Sequence, residues 1–234
     1  MLRALRFLAL FALVAGLTAC PVARRPEIPP PAPAVPAAPA RDYSNARVYR
    51  VVPADSLVRI LVYRGGSLAS AGHNHVIASR DVGGNVYVHQ QVPRSGFELV
   101  MPVASLEIDP PELRQEEGAE FESVPSESAK QGTRKNMLGA ALLDGERSPE
   151  IKLSAVAAEG LRESPLVTML ITVKDRRHEL KVPVAIQYDG ARLVATGEFK
   201  VKQTDLGLTP FTALMGALQV QDELTVKFKV VAQE

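Results

Sequence analysis

The chain has 234 residues, 46% of them apolar and drawn mainly from Ala, Val and Leu, with a net charge of +1 and a pI near 7.9. No basic block marks a nucleic-acid surface, and with no Trp and 5% aromatics there is no stacking platform for bases or sugars. The only cysteine, Cys20, excludes an internal disulfide, and a core built from this composition is aliphatic, as is any cavity within it.

The first 19 residues read as a signal peptide. Arg3 and Arg6 supply a positive start, and Phe7 to Ala15 form an apolar run shorter than the roughly 20 residues needed to span a bilayer. Leu17-Thr18-Ala19-Cys20 resembles the bacterial lipobox, in which a peptidase cuts before the cysteine and the thiol carries a diacylglycerol. The expectation is a lipid anchor at Cys20 that attaches the mature chain to a membrane surface without a spanning helix. Pro21 stands where inner-membrane lipoproteins carry aspartate, so the resemblance implies the outer membrane, facing the periplasm of a bacterial envelope. Residues 20–42 are then anchor and linker. Eight of the 18 prolines fall between Pro21 and Pro39, a composition that favours extended polyproline geometry.

Residues 43–234 read as one β-rich domain. Weak runs at 46–52 and 82–89 flank a Val-, Leu- and Ile-rich run at 56–63. Phe97, Leu99, Met101 and Val103 share one side of a strand, as do Ile151, Leu153 and Ala155, and then Val167, Met169, Ile171 and Val173. Leu180 to Ile186 alternates as one strand, followed by a two-residue turn at Asp189-Gly190. Leu193 to Val201 and Leu224 to Val230 complete about nine runs with one buried and one wet face. The predicted fold is mainly β, an antiparallel barrel of about eight strands with two short helices.

Between these runs, 107–131 is acidic and turn-rich and reads as a long surface loop. Thr133 could cap a helix carrying Met137, Leu138, Ala141 and Leu142 and ending at Gly145. Thr209 and Pro210 could open a second, with Phe211, Leu214, Met215 and Leu218 at i, i+3, i+4 and i+7 as its apolar stripe.

His73 and His75, two apart, point to one side of a strand, and His89 lies one strand later. The three imidazoles could ring the barrel mouth or form a metal site, although no cysteine or carboxylate has ligand spacing beside them. A phosphate loop, a G-x-S-x-G elbow and a cysteine nucleophile are all absent from the domain. Glu116-Glu117 and Glu120-Phe121-Glu122 read as a solvated charge run rather than an acid/base pair. No catalytic residue and no cofactor are expected.

Several ordered segments resemble the YceI-like family of polyisoprenoid-binding proteins, with its lipocalin-like barrel. They are Asp55-Ser56-Leu57-Val58-Arg59-Ile60, Arg147-Ser148-Pro149-Glu150-Ile151-Lys152-Leu153, Thr196-Gly197-Glu198-Phe199-Lys200-Val201, Thr204 to Phe211 and Val220 to Leu224. Asp55 and Arg64 stand where members often carry histidine. The resemblance implies an apolar lumen holding an isoprenoid or other long-chain lipid. Val58, Ile60, Leu99, Met101, Phe199, Val201 and Phe228 are the lumen candidates, and Phe211, Leu214 and Met215 those of a covering helix. Two other readings stay open: an envelope module with a packed barrel whose acidic loop binds a protein, and a metal- or redox-linked protein using the histidines.

Overall fold

The computed structural model describes residues 41–234; the expected signal segment, Cys20 and the linker through residue 40 lie outside the described residues. In chain order the strands are β1 (Arg47–Val51), β2 (Leu57–Val62), β3 (Arg64–Gly65), β4 (His75–Ser79), β5 (Gly83–Val88), β6 (Gly96–Pro102) and β7 (Glu107–Ile108). Helices α1 (Pro111–Glu116) and α2 (Glu127–Leu138) follow. Then come β8 (Glu150–Gly160), β9 (Pro165–Val173), β10 (Arg176–Pro183), β11 (Ala185–Asp189), β12 (Arg192–Lys202), β13 (Thr212–Ala213), β14 (Leu218–Val220) and β15 (Glu223–Gln233). A 12-stranded antiparallel sheet takes all of these strands except β3, β13 and β14, which form a small sheet of their own.

β15 organises the large sheet. One edge pairs with β12 from Lys202↔Glu223 to Arg192↔Gln233. The other edge is shared by β2, opposite Thr225 to Lys229, and by β1, opposite Ala232 and Gln233. β1 and β2 are thus one edge partner broken by a 3-10 turn at Pro53–Asp55. Ser56, 1% exposed, repairs the break: its hydroxyl donates to the Val52 carbonyl (2.9 Å) and accepts from the Val231 amide (3.0 Å).

The sheet curls into a barrel through residues 184–186. The Val184 and Ile186 amides donate to the Pro165 and Glu163 carbonyls, while Ala185 and Ile186 also pair with Thr196 and Ala195. The run expected as one strand over 180–186 is therefore divided between two neighbours. Further along, no ladder joins β10 to residues 197–202 among the described residues. The walls approach closely there: a Cβ on Gly197 would lie 2.9 Å from the Pro183 carbonyl and 2.6 Å from the Phe228 ring. Broken strands and added hairpins raise the strand number above the expected eight.

β2 departs from simple alternation because both of its faces are covered. Val58 and Ile60 face the main core, while Leu57, Leu61 and Tyr63 pack with Val76, Ala78, Leu113 and Phe121 on the outside. The cover is the acidic stretch expected as a surface loop. It is instead a docked flap made of α1, a 3-10 turn at Ala119–Phe121 and the start of α2. Asp109, fully buried at φ +53°, accepts from the Val76 amide (2.8 Å) and from the buried Arg114 guanidinium. Arg114 also donates to the carbonyls of Asn74 and Ser123. Nor is Glu117 solvated: its side chain is 2% exposed and bridges Arg59 and Lys227, which face each other across β2 and β15.

Both expected helices differ from the structure. α2 begins at Ser126, whose hydroxyl accepts from the Ala129 amide (3.2 Å), and stops before Gly139. Ser126 followed by Glu127 is a competent cap one turn and more ahead of Thr133. The segment 209–218 is no helix. β13 and β14 form a hairpin whose tip, Leu214-Met215-Gly216, has φ values of 51°, 55° and 87°. Pairing of β14 with β3 satisfies backbone groups that a short helix interrupted by Gly216 would satisfy poorly.

Two outcomes follow for stability. Ser56→Ala leaves the Val231 amide buried without its partner, and urea denaturation should show a loss of about 1–3 kcal/mol. Burial alone raises the Glu117 carboxyl, but hydrogen bonds from Lys227 and Arg59 outweigh it and hold the group below its ordinary value. Its stabilising contribution is therefore present above the unfolded glutamate value of about 4.3 and lost as pH falls through the lower folded value. Melting curves of Glu117→Gln should lie below those of the unsubstituted protein at neutral pH, with the gap closing on acidification below about pH 4. A gap independent of pH would remove the ion pairs from the account.

Candidate functional site: an apolar lumen with a polar mouth

The inward faces of the barrel strands do not fill the interior. A chamber of about 190 Å³ remains, and Val58, Ile60, Leu99, Met101, Phe199, Val201 and Phe228 all line it, together with Ala195. The strand period explains this grouping, since alternate residues of β2, β6, β12 and β15 share the inner face. The Phe199 and Phe228 rings stand 6.4 Å apart at 53°. Among the described residues Arg162 is the only charged one in this lining, and its guanidinium lies 4.8 Å from the centre of the Tyr188 ring. Burial raises the Tyr188 hydroxyl above the ordinary tyrosine value, against the opposing effect of Arg162.

A second chamber of about 250 Å³ adjoins the first and shares Ile60, Ile151, Val173, Leu206 and Leu224 with it. Met137 of α2, with Leu142 and Leu143 after it, forms part of its apolar wall. Its polar lining is Arg64, His73, His75, Thr133, Asn136, Gln203 and Gln219, of which Arg64, Asn136 and Gln219 are exposed at the rim. Among the described residues no aspartate or glutamate lines either chamber.

The histidines at this mouth are held from behind. Asn74, between them in sequence and 8% exposed, turns away from the cavity towards the flap; it accepts from the Arg64 amide (2.9 Å) and donates to the Glu120 carbonyl (3.0 Å). His73 and His75 consequently share the cavity side, as their spacing implies, with rings 6.5 Å apart. His75 Nδ1 lies 2.7 Å from Asp109 Oδ2, and His73 Nδ1 lies 3.3 Å from the Ser123 hydroxyl. Burial raises the Asp109 carboxyl, but the hydrogen bond and charge of His75, the Val76 amide and Arg114 together hold it below the ordinary aspartate value. With Nδ1 of His75 committed to Asp109, Nε2 is the nitrogen left for the cavity.

Three expected site residues lie elsewhere. His89, on the loop after β5, accepts from the Gln91 amide through Nδ1 (3.0 Å) and does not line the mouth. Among the described residues no group of three His, Cys, Asp or Glu is placed to hold a metal ion, so the three-histidine site does not assemble. Leu214 and Met215 are 64% and 107% exposed at the hairpin tip and cover nothing; of the expected lid, only Phe211 lines the mouth. Asp55 pairs with Arg192 (2.9 Å) beside the β1–β2 break, while Arg64 reaches the mouth and donates from its guanidinium to the Gly72 carbonyl (2.8 Å). The residues missed in sequence are Asp109 and Arg114, hidden in an acidic stretch whose only cue was the turn signal Asp109-Pro110-Pro111.

The family model described as the YceI-like domain matches residues 49–232. No curated protein matches the chain. Among solved structures, Burkholderia cenocepacia BcnA is similar at 16% identity and a TM-score of 0.56, over 78% of this chain and 99% of that one. A polyisoprenoid-binding domain from Saccharophagus degradans, implicated in plant cell wall breakdown, is similar at 11% identity and a TM-score of 0.52, over 79% of this chain and 97% of that one. At these identities the two structures speak for the fold. The family match spans all the large-sheet strands apart from the outer ends of β1 and β15, and the chain belongs to the YceI-like family.

Proposed function

We propose that this protein is a non-enzymatic carrier that holds an isoprenoid-type or other long lipid chain in its lumen and is tethered to a bacterial envelope membrane through Cys20. The observation that carries the reading is the aliphatic chamber itself, continuous through shared walls with an outer chamber whose rim is polar. An apolar chain placed there gains about 0.8 kcal/mol per buried CH₂ and needs no hydrogen-bond partner along its length. The similar Saccharophagus structure is of a polyisoprenoid-binding domain, which supports the same ligand class. The Pro- and Ala-rich segment ahead of the domain supports a tether, and outer-membrane attachment facing the periplasm fits the residue after Cys20. A packed envelope module fits less well, because the acidic stretch that would bind its partner is docked against β2 and β4.

The decisive experiment is native mass spectrometry with organic extraction on protein purified from its own host. A co-purifying lipid is the expected outcome; empty protein that also fails to take up a fluorescent isoprenoid would reject the carrier reading. Ala195→Trp, at a half-buried lumen position, should abolish uptake while the β circular dichroism spectrum is retained. Replacement of Cys20 by Ser should release the protein from the membrane fraction without changing uptake by the purified domain.

A further inference from the structure

The mouth has a charge character that chain burial does not require. Among the described residues its lining joins one permanent cation, Arg64, to two imidazoles, four neutral polar side chains and no carboxylate. Among the described residues no carboxylate pairs with Arg64, whose amide donates to Asn74 and whose guanidinium donates to Gly72. A five-donor guanidinium engaged in one such bond keeps donors for a ligand. The acid that contacts this lining, Asp109, is fully buried behind His75 and spends its oxygens on Val76, Arg114 and His75. It therefore orients the imidazole without presenting negative charge to the cavity.

From this arrangement we infer that the mouth binds an anionic oxygen head group, phosphate or carboxylate, on the same molecule whose chain occupies the lumen, with Arg64 and His75 as its contacts and His73 beside them. The inference rests on the carrier reading and adds the class of head group to it. Geometry supports one ligand across both chambers. Ile60 and Leu224 line both, and on β2, Ile60 and Val62 lead to Arg64 on the same face. A head group at Arg64 thus continues directly into a chain lying along Ile60. Gln203 is less available, since its amide nitrogen already donates to the Gln221 carbonyl (2.8 Å).

Tail-matched ligands test this. Binding of geranylgeranyl monophosphate and of geranylgeraniol to the purified domain is measured by displacement of a fluorescent isoprenoid, at fixed ionic strength. The phosphate should bind at least about ten-fold tighter than the alcohol, as charge-assisted hydrogen bonds imply. In Arg64→Gln and in His75→Gln this ratio should fall toward one. Retained thermal unfolding of each variant confirms that its fold is intact, and the Arg64 variant, at an exposed position, is the safer of the two. Equal binding of alcohol and phosphate by the unsubstituted protein overturns the head-group inference and leaves the carrier reading standing. Failure of both ligands to bind rejects the carrier reading, and the inference with it. Stabilisation by inorganic phosphate alone, abolished by Arg64→Gln and without any phosphate-over-alcohol preference, would identify a free-anion site and equally overturn it.

Discussion

β15 must satisfy hydrogen bonds on both edges over 11 residues, and the barrel depends on how it does so. On one side β12 is long enough to match it residue for residue. On the other, β1 and β2 divide the edge, and the chain between them leaves the sheet for a 3-10 turn. An unpaired buried amide costs about 1–3 kcal/mol, so the break is tolerable only because the Ser56 hydroxyl stands in for the missing strand. The break has a geometric use: it lets β1 turn away to β5 while β2 proceeds to β4, so one strand feeds both flanks of the barrel.

The same placement of β2 produces the mouth. A strand whose two faces are both apolar needs a cover on its outer side, and the flap from Asp109 to Phe121 provides it. Carrying acids into that position requires partners. Glu117 finds Arg59 and Lys227, and Asp109 finds Arg114, the Val76 amide and His75. Covering the outside of β2 and β4 and fixing a histidine on the inside are thus one arrangement, linked through Asn74 and Asp109. The link explains how polar rings can stand firmly at the edge of an aliphatic chamber: their supporting groups are on the other side of the sheet.

Much of the barrel was legible in the sequence, because period-two alternation is a direct record of which side faces the interior. Val58, Leu99, Met101, Phe199, Val201 and Phe228 line the lumen for that reason alone. What was illegible depends on contacts distant in sequence. The stripe Phe211, Leu214, Met215, Leu218 has helical spacing, yet pairing with Arg64-Gly65 draws the segment into a hairpin and leaves Leu214 and Met215 outside. The acidic stretch around Glu117 looked solvated because its cations, Arg59 and Lys227, lie 58 and 110 residues away. At the mouth, the spacing of His73 and His75 gave their common side, while the support from Asp109 and the isolation of His89 could come only from the fold.

On the carrier reading, the two chambers also divide the physical work of recognition. Chain burial is non-directional, so an aliphatic lumen gains affinity with every added CH₂ but discriminates poorly between chains of similar length and shape. Discrimination needs groups that lose more with the wrong partner than they gain with the right one, and buried or half-buried polar side chains have that property. In this protein such groups are most numerous at the mouth, where His75, backed by Asp109, is half-buried beside the exposed Arg64. On the proposed reading, a ligand could therefore vary along its tail at small cost, whereas its head would have to answer the donors of the mouth. That asymmetry suits a carrier whose cargo enters and leaves by one end, since the polar end stays nearest to solvent while the chain remains out of water.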